Sequence, residues 1–307
     1  MILGIQDLTK SYGSKKALCG VSLTLTEGIY GLLGPNGAGK STLINILVNN
    51  LIQDEGCITL GQNDIRYMGA SYRSILGYMP QQQSLFHGFT ARRFLGYMGA
   101  LKGMDKKHLN ARIHEVLDRV NLTNEADKRL GSFSGGMKQR ILIAQAILDD
   151  PKILILDEPT AGLDPKERIR IRNLISEISF HKIVIIATHV VSDIEFISKE
   201  IILLKQGELL AMNSPTALIN SMENRVYEIT VPEEDLPEVQ TTWRISSMSK
   251  EDNSILVRIL SEQPPQMYPH QSVKPTLEDL YLYLFDDGGV SASDILEKLR
   301  ESSMEVK

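Results

Sequence analysis

The chain has 307 residues, and its 33 Lys and Arg against 38 Asp and Glu give a formal net charge of -5 at pH 7. Because this balance has no basic bias, we expect no nucleic acid partner. The content of 42% hydrophobic and 23% charged residues excludes a disordered or collagen-like chain, and the length suits one sizeable α/β domain with a smaller appendage.

The two cysteines, Cys19 and Cys57, form no CxxC pair, so the sequence predicts neither a disulfide framework nor a cysteine metal site. This fits a reducing compartment. No uncharged run approaches the roughly 18 residues that span a bilayer, and no basic leader precedes an apolar stretch at the N-terminus. We therefore expect a cytoplasmic protein, and action at a membrane would need either a partner that supplies the spanning segments or binding to the membrane surface.

The first part of the chain predicts antiparallel strands, followed by a strand, a loop and a helix. Residues 21–26 alternate apolar and polar side chains as a half-buried strand does, and residues 3–8 do so less cleanly. The apolar run 29–33 leads into a glycine-rich loop, and the apolar-rich segment 41–48 follows as a predicted helix.

The middle of the chain predicts a helical insertion and then buried parallel strands. Apolar residues recur at helical spacing through 90–120, and the basic residues along this segment fit a solvated helix face. The apolar runs 153–156 and Ile183–Ala187 have strand length, and the helical pattern of Pro165–Ile178 separates them. Uninterrupted apolar runs of this kind are typical of parallel strands that are buried on both faces.

The composition changes after residue 220, where we place a domain boundary. Residues 221–290 carry 13 acidic against 5 basic residues. The predicted elements there are strands at 226–231 and 255–260 and a helix at 280–285 behind a capping box at 276–279. They predict a small α+β appendage, either regulatory or a dimerisation or packing module. The tail 291–307 is predicted to be one amphipathic helix.

The segment GPNGAGKST matches the phosphate-loop pattern and lies between an apolar strand and a helix N-terminus. Its glycines let successive backbone N–H groups turn toward phosphate oxygens, and the helix dipole favours the anion. Lys40 is expected to bridge the β- and γ-phosphates of ATP, and Ser41 to coordinate Mg²⁺. The alternative is an incidental glycine turn. The predicted nucleotide contacts here are Gly34, Pro35, Asn36, Gly37, Ala38, Gly39, Lys40, Ser41 and Thr42.

The segment ILILDEP ends a predicted strand in two acids. A carboxylate at a strand end can hold the second side of a Mg²⁺ site, which is the role predicted for Asp157. Glu158 points the other way and is the predicted general base for the attacking water. Strands also end in acids on the way to surface turns, so this assignment depends on the accompanying phosphate loop.

The segment SFSGGMKQR begins another predicted helix, and its Ser-Gly-Gly offers a hydroxyl and backbone donors at the helix N-terminus. An ordinary glycine-rich cap is one interpretation. The other is a second phosphate site, formed by Ser134, Gly135 and Gly136. One chain needs two such sites only if the second serves the nucleotide of a neighbouring molecule, which predicts a dimer that sandwiches ATP.

Together, the loop at Gly34, the Ser-Gly-Gly at Ser134 and the Asp-Glu-Pro at Asp157 resemble the ATP-binding cassette (ABC) ATPase family in order and spacing. The resemblance covers about residues 1–220. It implies an α/β phosphate-loop NTPase cassette with an N-terminal antiparallel β-subdomain and a helical subdomain at about 85–150, followed by the small C-terminal α+β appendage.

The resemblance also implies roles for residues outside these motifs. Tyr12 matches an aromatic that stacks on adenine, Gln81 matches a glutamine that contacts Mg²⁺ and water, and His189 matches a histidine that contacts the γ-phosphate. Asp164 closes a loop that touches the partner subunit. A surface tyrosine, one of three adjacent glutamines and a strand-end histidine are the plain alternatives. Phe133 and Met137 replace the usual leucine and glutamine beside the Ser-Gly-Gly.

The resemblance implies an ATP-hydrolysing subunit that dimerises, with itself or with a related ATPase, on an integral membrane permease at the cytoplasmic face of the membrane. Residues 275–285, PTLEDLYLYLF, resemble the end of ATPases from bacterial drug, antibiotic and ion exporters, which favours export. An importer ATPase and a non-transport ATPase of translation or DNA maintenance are the alternatives. The chain shows neither two fused cassettes nor a long coiled-coil insertion, so transport is favoured.

Overall fold

The computed structural model describes residues 1–81, 85–251, 254–285, 295 and 299. The chain divides into two compact units, Met1–Leu209 and Leu210–Lys307. The division into domains at residues 220 and 290 stays a prediction.

The described part of the chain contains both strands and helices. The strands are β1 (Leu3–Tyr12), β2 (Lys15–Leu25), β3 (Gly28–Leu33), β4 (Glu55–Leu60), β5 (Asn63–Asp64), β6 (Leu76–Met79), β7 (Ile153–Asp157), β8 (Ile183–Ala187), β9 (Glu200–Lys205), β10 (Glu208–Asn213), β11 (Val226–Pro232), β12 (Arg244–Glu251), β13 (Ser254–Leu260) and β14 (His270–Ser272). The α-helices are α1 (Lys40–Leu47), α2 (Ile65–Met68), α3 (Ala70–Arg73), α4 (Ala91–Leu101), α5 (Lys106–Arg119), α6 (Gly135–Ala146), α7 (Pro165–Ile178), α8 (Pro215–Asn220), α9 (Leu236–Thr242) and α10 (Leu277–Phe285).

The first unit opens with a four-stranded sheet in the order β2-β1-β4-β5, and its neighbouring strands are antiparallel. Alternation along β2 is regular, since Val21, Leu23 and Leu25 are buried and the intervening Ser22 and Thr24 are exposed. One face of this sheet therefore packs on the core and the other meets solvent, as the period-2 pattern of the sequence predicts.

A second sheet has six strands in the order β10-β9-β3-β8-β7-β6. Strands β3, β8, β7 and β6 are parallel, and every residue of β8 is buried. Leu32 of β3 and Asp157 of β7 both pair with Ala187 of β8. The carboxyl ends of three strands therefore meet at one edge, where open α/β sheets bind their ligands.

Three capped helices follow between β6 and β7. The segment 90–120, predicted to be helical, forms two helices. Gly103 has φ 74°, in the left-handed region that commonly follows a helix end, and α4 ends just before it. Thr90 caps α4 by accepting a hydrogen bond from the N–H of Arg93, and Asp105 caps α5 by accepting one from Lys107. These caps bind N–H groups that the first turn of each helix leaves without a partner.

The second unit contains an antiparallel sheet in the order β12-β13-β11-β14. Its core includes Tyr227, Ile229, Val231, Val239, Val257 and Ile259. The capping box ahead of α10 is formed as predicted: Thr276 Oγ1 accepts from the N–H of Asp279 at 3.2 Å, and the Asp279 carboxylate accepts from the N–H of Thr276 at 2.8 Å. The tail helix predicted at 291–307 lies outside the described residues except for Ile295 and Leu299, which are helical and buried.

None of the described helices is both long enough and apolar enough to cross a membrane.

A buried ion pair ties α10 to the sheet of the second unit. Asp279 is fully buried and accepts hydrogen bonds from Arg258 Nη2 at 2.7 Å and from Ser246 Oγ at 2.7 Å. Burial by itself raises the pKa of Asp279, but the hydrogen bonds from Arg258, Ser246 and Thr276 outweigh it and hold the pKa below the usual value. The carboxylate is therefore ionised in the folded unit.

We expect Arg258→Gln to lower the free energy of unfolding of the second unit by about 3 kcal/mol, because it leaves a buried carboxylate without its cation. Urea unfolding followed by the fluorescence of Trp243, the single tryptophan of the chain, measures this unit directly. The difference in free energy of unfolding between wild type and variant should become smaller in acid. The pKa of Asp279 is lower in the folded than in the unfolded protein, so its contribution to stability is present above the unfolded pKa and is lost as pH falls through the folded pKa.

Lys250→Gln is the matched control, since Lys250 and Glu233 form an exposed ion pair in the same unit. Its effect should stay below about 1 kcal/mol. Equal effects of the two substitutions would show that the buried pair does not hold α10 in place.

Candidate functional site

The phosphate loop lies between β3 and α1, where the sequence predicts it. Gly39 directly precedes α1 with φ 106°, and a Cβ at this position would lie 2.5 Å from the carbonyl oxygen of Ala17. Only glycine fits there, because both the backbone angle and the space exclude a side chain. The loop therefore turns tightly enough to direct its N–H groups and the N-terminus of α1 into the space above the sheet edge.

The ammonium of Lys40 is held by the loop itself. Lys40 Nζ donates to the carbonyl oxygens of Gly34 at 2.5 Å and Pro35 at 3.1 Å. Burial lowers the pKa of Lys40, while the carboxylates of Glu158 and Asp157 oppose that shift. The cation thus lies within the concave side of the loop, as a group that binds phosphate oxygens must.

One cavity of about 230 Å³ brings most of the predicted nucleotide and metal residues together. It is lined by Tyr12, Lys15, Ala17, Asn36, Gly37, Ala38, Gly39, Lys40, Ser41, Thr42, Gln81, Asp157 and Glu158. Tyr12 is 52% exposed, so its ring is accessible to a planar ligand. Residues from five separate parts of the first unit therefore line a single concave site beside the phosphate loop.

Asp157 is the last residue of β7 and faces the same cavity as Lys40. Burial and the neighbouring Glu158 raise the pKa of Asp157 to about 6, and Lys40 opposes this rise. The single positive charge of Lys40 does not balance the two neighbouring carboxylates of Asp157 and Glu158. A cation at this position would favour ionisation of Asp157.

Glu158 is buried and has φ 52°, in the left-handed region that non-glycine residues seldom occupy. Its Oε1 accepts hydrogen bonds from the His189 backbone N–H at 3.1 Å and lies 2.7 Å from His189 Nδ1. Its Oε2 accepts from Thr188 Oγ1 at 3.3 Å. The loop after β8 therefore fixes the direction of the carboxylate, and His189 reaches the site through Glu158.

A second buried contact joins the same two loops. Thr160 Oγ1 donates to Asp193 Oδ2, and both side chains are almost completely buried. Thr160 lies two residues after Glu158, and Asp193 lies four residues after His189. The pair thus holds the loop with the predicted base against the loop with the predicted histidine.

The Ser-Gly-Gly segment begins α6, and Ser134 caps this helix by accepting from the N–H of Met137 at 3.3 Å. A Cβ at Gly136 would lie 2.5 Å from Glu167 Oε2, so α6 packs closely against the first turn of α7. Asp164 caps α7 by accepting from the N–H of Glu167 at 3.0 Å. In the part of the chain that the structure describes, Ser134, Gly135, Gly136 and Asp164 do not line the cavity that holds Lys40.

Several site residues were missed from the sequence. Lys15 and Ala17 line the cavity, Thr188 bonds Glu158, and Asp193 bonds Thr160. Lys15 lies close to the predicted site residue Tyr12 in the sequence, and this proximity could have indicated that Lys15 belongs to the site. The hydroxyl contacts join residues 30 or more positions apart, and the sequence carries no pattern for them.

The sequence profile of the family described as ABC transporter matches residues 18–161. This match includes the phosphate loop, the Ser-Gly-Gly segment and the two strand-end acids.

Similar proteins agree with this match. The linearmycin resistance ATP-binding protein LnrL of Bacillus subtilis (strain 168) is 35% identical over 75% of each chain, and the Nod factor export ATP-binding protein I of Rhizobium sp. (strain N33) is 36% identical over 71% of this chain and 72% of its own. A dimeric ATP-binding cassette solved in a post-hydrolysis state with ADP and Pi is 28% identical with a TM-score of 0.62, over 69% of this chain and 98% of that chain. The chain therefore belongs to the ATP-binding proteins of ABC transporters, and its cassette is an ATPase that binds ATP.

Proposed function

We propose that the chain hydrolyses Mg²⁺-bound ATP as a dimer on a membrane permease and thereby drives export. The observation that carries this proposal is the single cavity in which the phosphate loop, Asp157 and Glu158 meet, with Glu158 held by His189. A charged loop for phosphate, a metal-binding acid and a base in one concave site are the parts that phosphoryl transfer to water requires.

Glu158 is the proposed general base. Its carboxylate is buried and accepts hydrogen bonds from Thr188 Oγ1 and the His189 N–H, and its Oε1 lies 2.7 Å from His189 Nδ1. The backbone N–H of Glu158 donates to the carbonyl of Ala187 at 2.8 Å. A base held in this way need not reorganise when it orients water and accepts the water proton. His189 is the proposed contact to the γ-phosphate, and its bond to Glu158 couples that contact to the base.

Mg²⁺ fits the residues that line the cavity. Asp157, Ser41 and Gln81 present carboxylate, hydroxyl and amide oxygens, which are the ligand types that Mg²⁺ prefers. No group of three or more His, Cys, Asp or Glu in the described ranges could hold a metal alone, so phosphate oxygens would complete the ligand set. When bound, the ion neutralises charge that develops on the phosphates. The raised pKa of Asp157 supports this assignment, because a cation bound beside the carboxylate would favour its ionised form.

Tyr12 is the proposed stacking partner of adenine. It lies at the end of β1, lines the cavity and is half exposed, as a ring that covers a base from one side must be. Stacking on an aromatic face contributes about 1–3 kcal/mol per base in other nucleotide complexes.

The dimer completes a site that one chain leaves open. The Ser134–Gly136 segment and Asp164 lie outside the cavity of their own chain, and the N-terminus of α6 offers N–H donors to an anion. We assign these residues to the ATP of the partner subunit, which forms either a homodimer or a pseudo-dimer with a related ATPase. The dimeric form of the similar cassette supports this assignment.

An exposed aromatic cluster is the proposed docking point for the permease. Phe86 and Phe89 stack with ring centroids 5.0 Å apart, and Tyr97 meets both edge-on. Phe86 is 47% and Tyr97 is 43% exposed. Aromatic residues in contact with solvent are typical anchors of protein interfaces. Docking there keeps the ATPase at the cytoplasmic face of the membrane.

Export is favoured over import by the names of two similar proteins, one for linearmycin resistance and one for Nod factor export. The alternatives are an importer ATPase and a non-transport ATPase. ATP-dependent accumulation of the transported compound inside cells, without extrusion, would contradict export.

Glu158→Gln should reduce ATP turnover by about a hundredfold or more, because an amide cannot accept the proton of the attacking water. The variant should still bind ATP and accumulate as an ATP-bound dimer, since the nucleotide stabilises the state that it occupies. Phosphate release and light scattering of the purified protein with ATP and Mg²⁺ measure both effects.

Glu177→Gln is the control for this substitution, because Glu177 is an exposed glutamate on α7. Its turnover should equal that of the wild type. Normal turnover by Glu158→Gln would rule out Glu158 as the base, and failure of either protein to bind ATP would remove the basis of the whole assignment.

Mixed dimers test whether the Ser-Gly-Gly segment acts on the partner's ATP. Lys40→Ala and Ser134→Arg should each abolish turnover alone. In their mixed dimer one composite site contains both changes and the other is intact, so an equal mixture should recover up to about a quarter of wild-type turnover. Phosphate release from the mixture measures this recovery.

A mixture of Lys40→Ala with Glu158→Gln provides the matched comparison. Both changes lie on the same side of the composite site, so each site of that mixed dimer keeps one lesion and no recovery is expected. Recovery in this second mixture, or none in the first, would contradict action between subunits.

Tyr97→Glu should weaken association with the permease about tenfold or more without changing the ATP turnover of the isolated chain, because a charge disrupts an aromatic anchor. Co-purification with the permease from cells that produce both proteins measures the association. Tyr67→Glu is the control, as Tyr67 is 85% exposed and lies outside the cluster. Equal co-purification of both variants would exclude the cluster as the docking point.

A further inference from the structure

The second unit contains a groove of about 690 Å³ that none of the proposed ATPase steps uses. It runs along β12, an outer strand of the four-stranded sheet, and its walls come from the end of α9, the end of β13 and Tyr283 of α10. Volumes of about 300–1,000 Å³ are typical of sites for small molecules. We call this feature the edge groove.

A β-bulge shapes the edge groove. The register of β12 against β13 shifts between Ile245 and Ser247, so that Ser246 is the extra residue. Ser246 turns to the buried carboxylate of Asp279, with its Oγ donating at 2.7 Å. Bulges of this kind redirect neighbouring side chains and often border binding sites. The strand thereby presents Arg244 and Ser247 to the groove.

Arg244 provides positive charge that the groove does not neutralise. Its Nη1 donates to the carbonyl oxygen of Tyr283 at 2.7 Å, but its Nε is buried and has no hydrogen-bond partner. Across the described ranges, no carboxylate lies within 4.0 Å of its guanidinium. The Nε atom has almost no accessible surface, so an anion in the groove would bind the Nη atoms, and Nη2 donates none of the hydrogen bonds found among the described residues.

The carboxylate of Glu262, which lines the groove, already has partners. Glu262 lines the groove but lies 3.8 Å from Arg225 Nη1 and accepts a hydrogen bond from the Tyr283 hydroxyl at 3.1 Å. Arg225 and Glu262 therefore balance each other. Arg244 is the cation among the residues that line the groove, and no described carboxylate forms an ion pair with it.

Apolar surface accompanies this charge. Trp243, Ile245 and Met248 line the groove from the other face of the sheet, because Ile245 and Met248 pair with Ile259 and Val257 of the core, so the groove passes around the edge of β12. Met248 is 50% exposed. A ligand that used both features would carry one negative group for Arg244 and an aliphatic or aromatic body for the apolar wall.

We propose that the edge groove binds a small amphipathic monoanion, with a carboxylate on Arg244 and an apolar body against Trp243 and Met248. The proposal is independent of transport direction and of the catalytic assignments. It gives the second unit a binding function of its own.

Trp243 is the only tryptophan of the chain and lines the groove, so its emission reports occupancy in the full-length protein. Octanoate is the probe, and acetate and octanol are its head group and its uncharged counterpart. Octanoate should change the Trp243 emission saturably with a Kd in the range of about 1 mM or below, as expected for a ligand of this size. Acetate and octanol should each bind at least about tenfold more weakly.

Arg244→Gln should weaken octanoate binding about tenfold or more, and Arg244→Lys should weaken it less because the charge remains. Lys250→Gln removes a cation from the other end of the same strand and should leave binding unchanged. The proposal is overturned if octanoate causes no saturable change, if Arg244→Gln binds it as well as the wild type, or if octanol binds equally well. The comparison with octanol uses only the wild type and so decides even if Arg244→Gln fails to fold.

Discussion

The site depends on the register of three parallel strands. Leu32 at the end of β3 and Asp157 at the end of β7 pair with the same residue, Ala187 of β8. The phosphate loop, the two acids and the loop with His189 therefore leave the sheet at one level. A shift of one residue in any strand would turn its side chains to the opposite face and separate these groups. The buried apolar runs that fix the register are thus a condition for catalysis.

Contacts within the chain hold the charged groups of this site. Lys40 bonds carbonyl oxygens of its own loop, Asp157 has a raised pKa, and Glu158 is occupied by His189 and Thr188. Bound ATP would bring its phosphate oxygens close to the Lys40 ammonium and to the N–H groups of the loop, so these contacts are expected to change when the nucleotide binds.

The sequence predicts the parts of the site that local chemistry determines. The phosphate loop follows from the glycines around Lys40, and α7 spans Pro165–Ile178 as the helical pattern predicts. The contact of Thr160 with Asp193 joins positions 33 residues apart, and it exists only because β7 and β8 are neighbours. The bulge at Ser246 is equally hidden, since it depends on how β12 pairs with β13. Pairing between strands determines the Thr160–Asp193 contact and the bulge at Ser246, and the periodicity of a single segment does not predict which strands pair.

Arg258 and Arg244 lie on neighbouring strands of the second unit but differ in their hydrogen-bond partners. Arg258 on β13 is saturated, with Asp279 and the carbonyl of Lys274 as partners, and it stabilises the fold. Arg244 on the outer strand bonds one carbonyl and keeps a buried Nε without an acceptor. A unit whose arginines served stability alone would gain by pairing both. The open arginine beside a groove with an apolar wall therefore indicates that this unit recognises an anion as well as packing against itself.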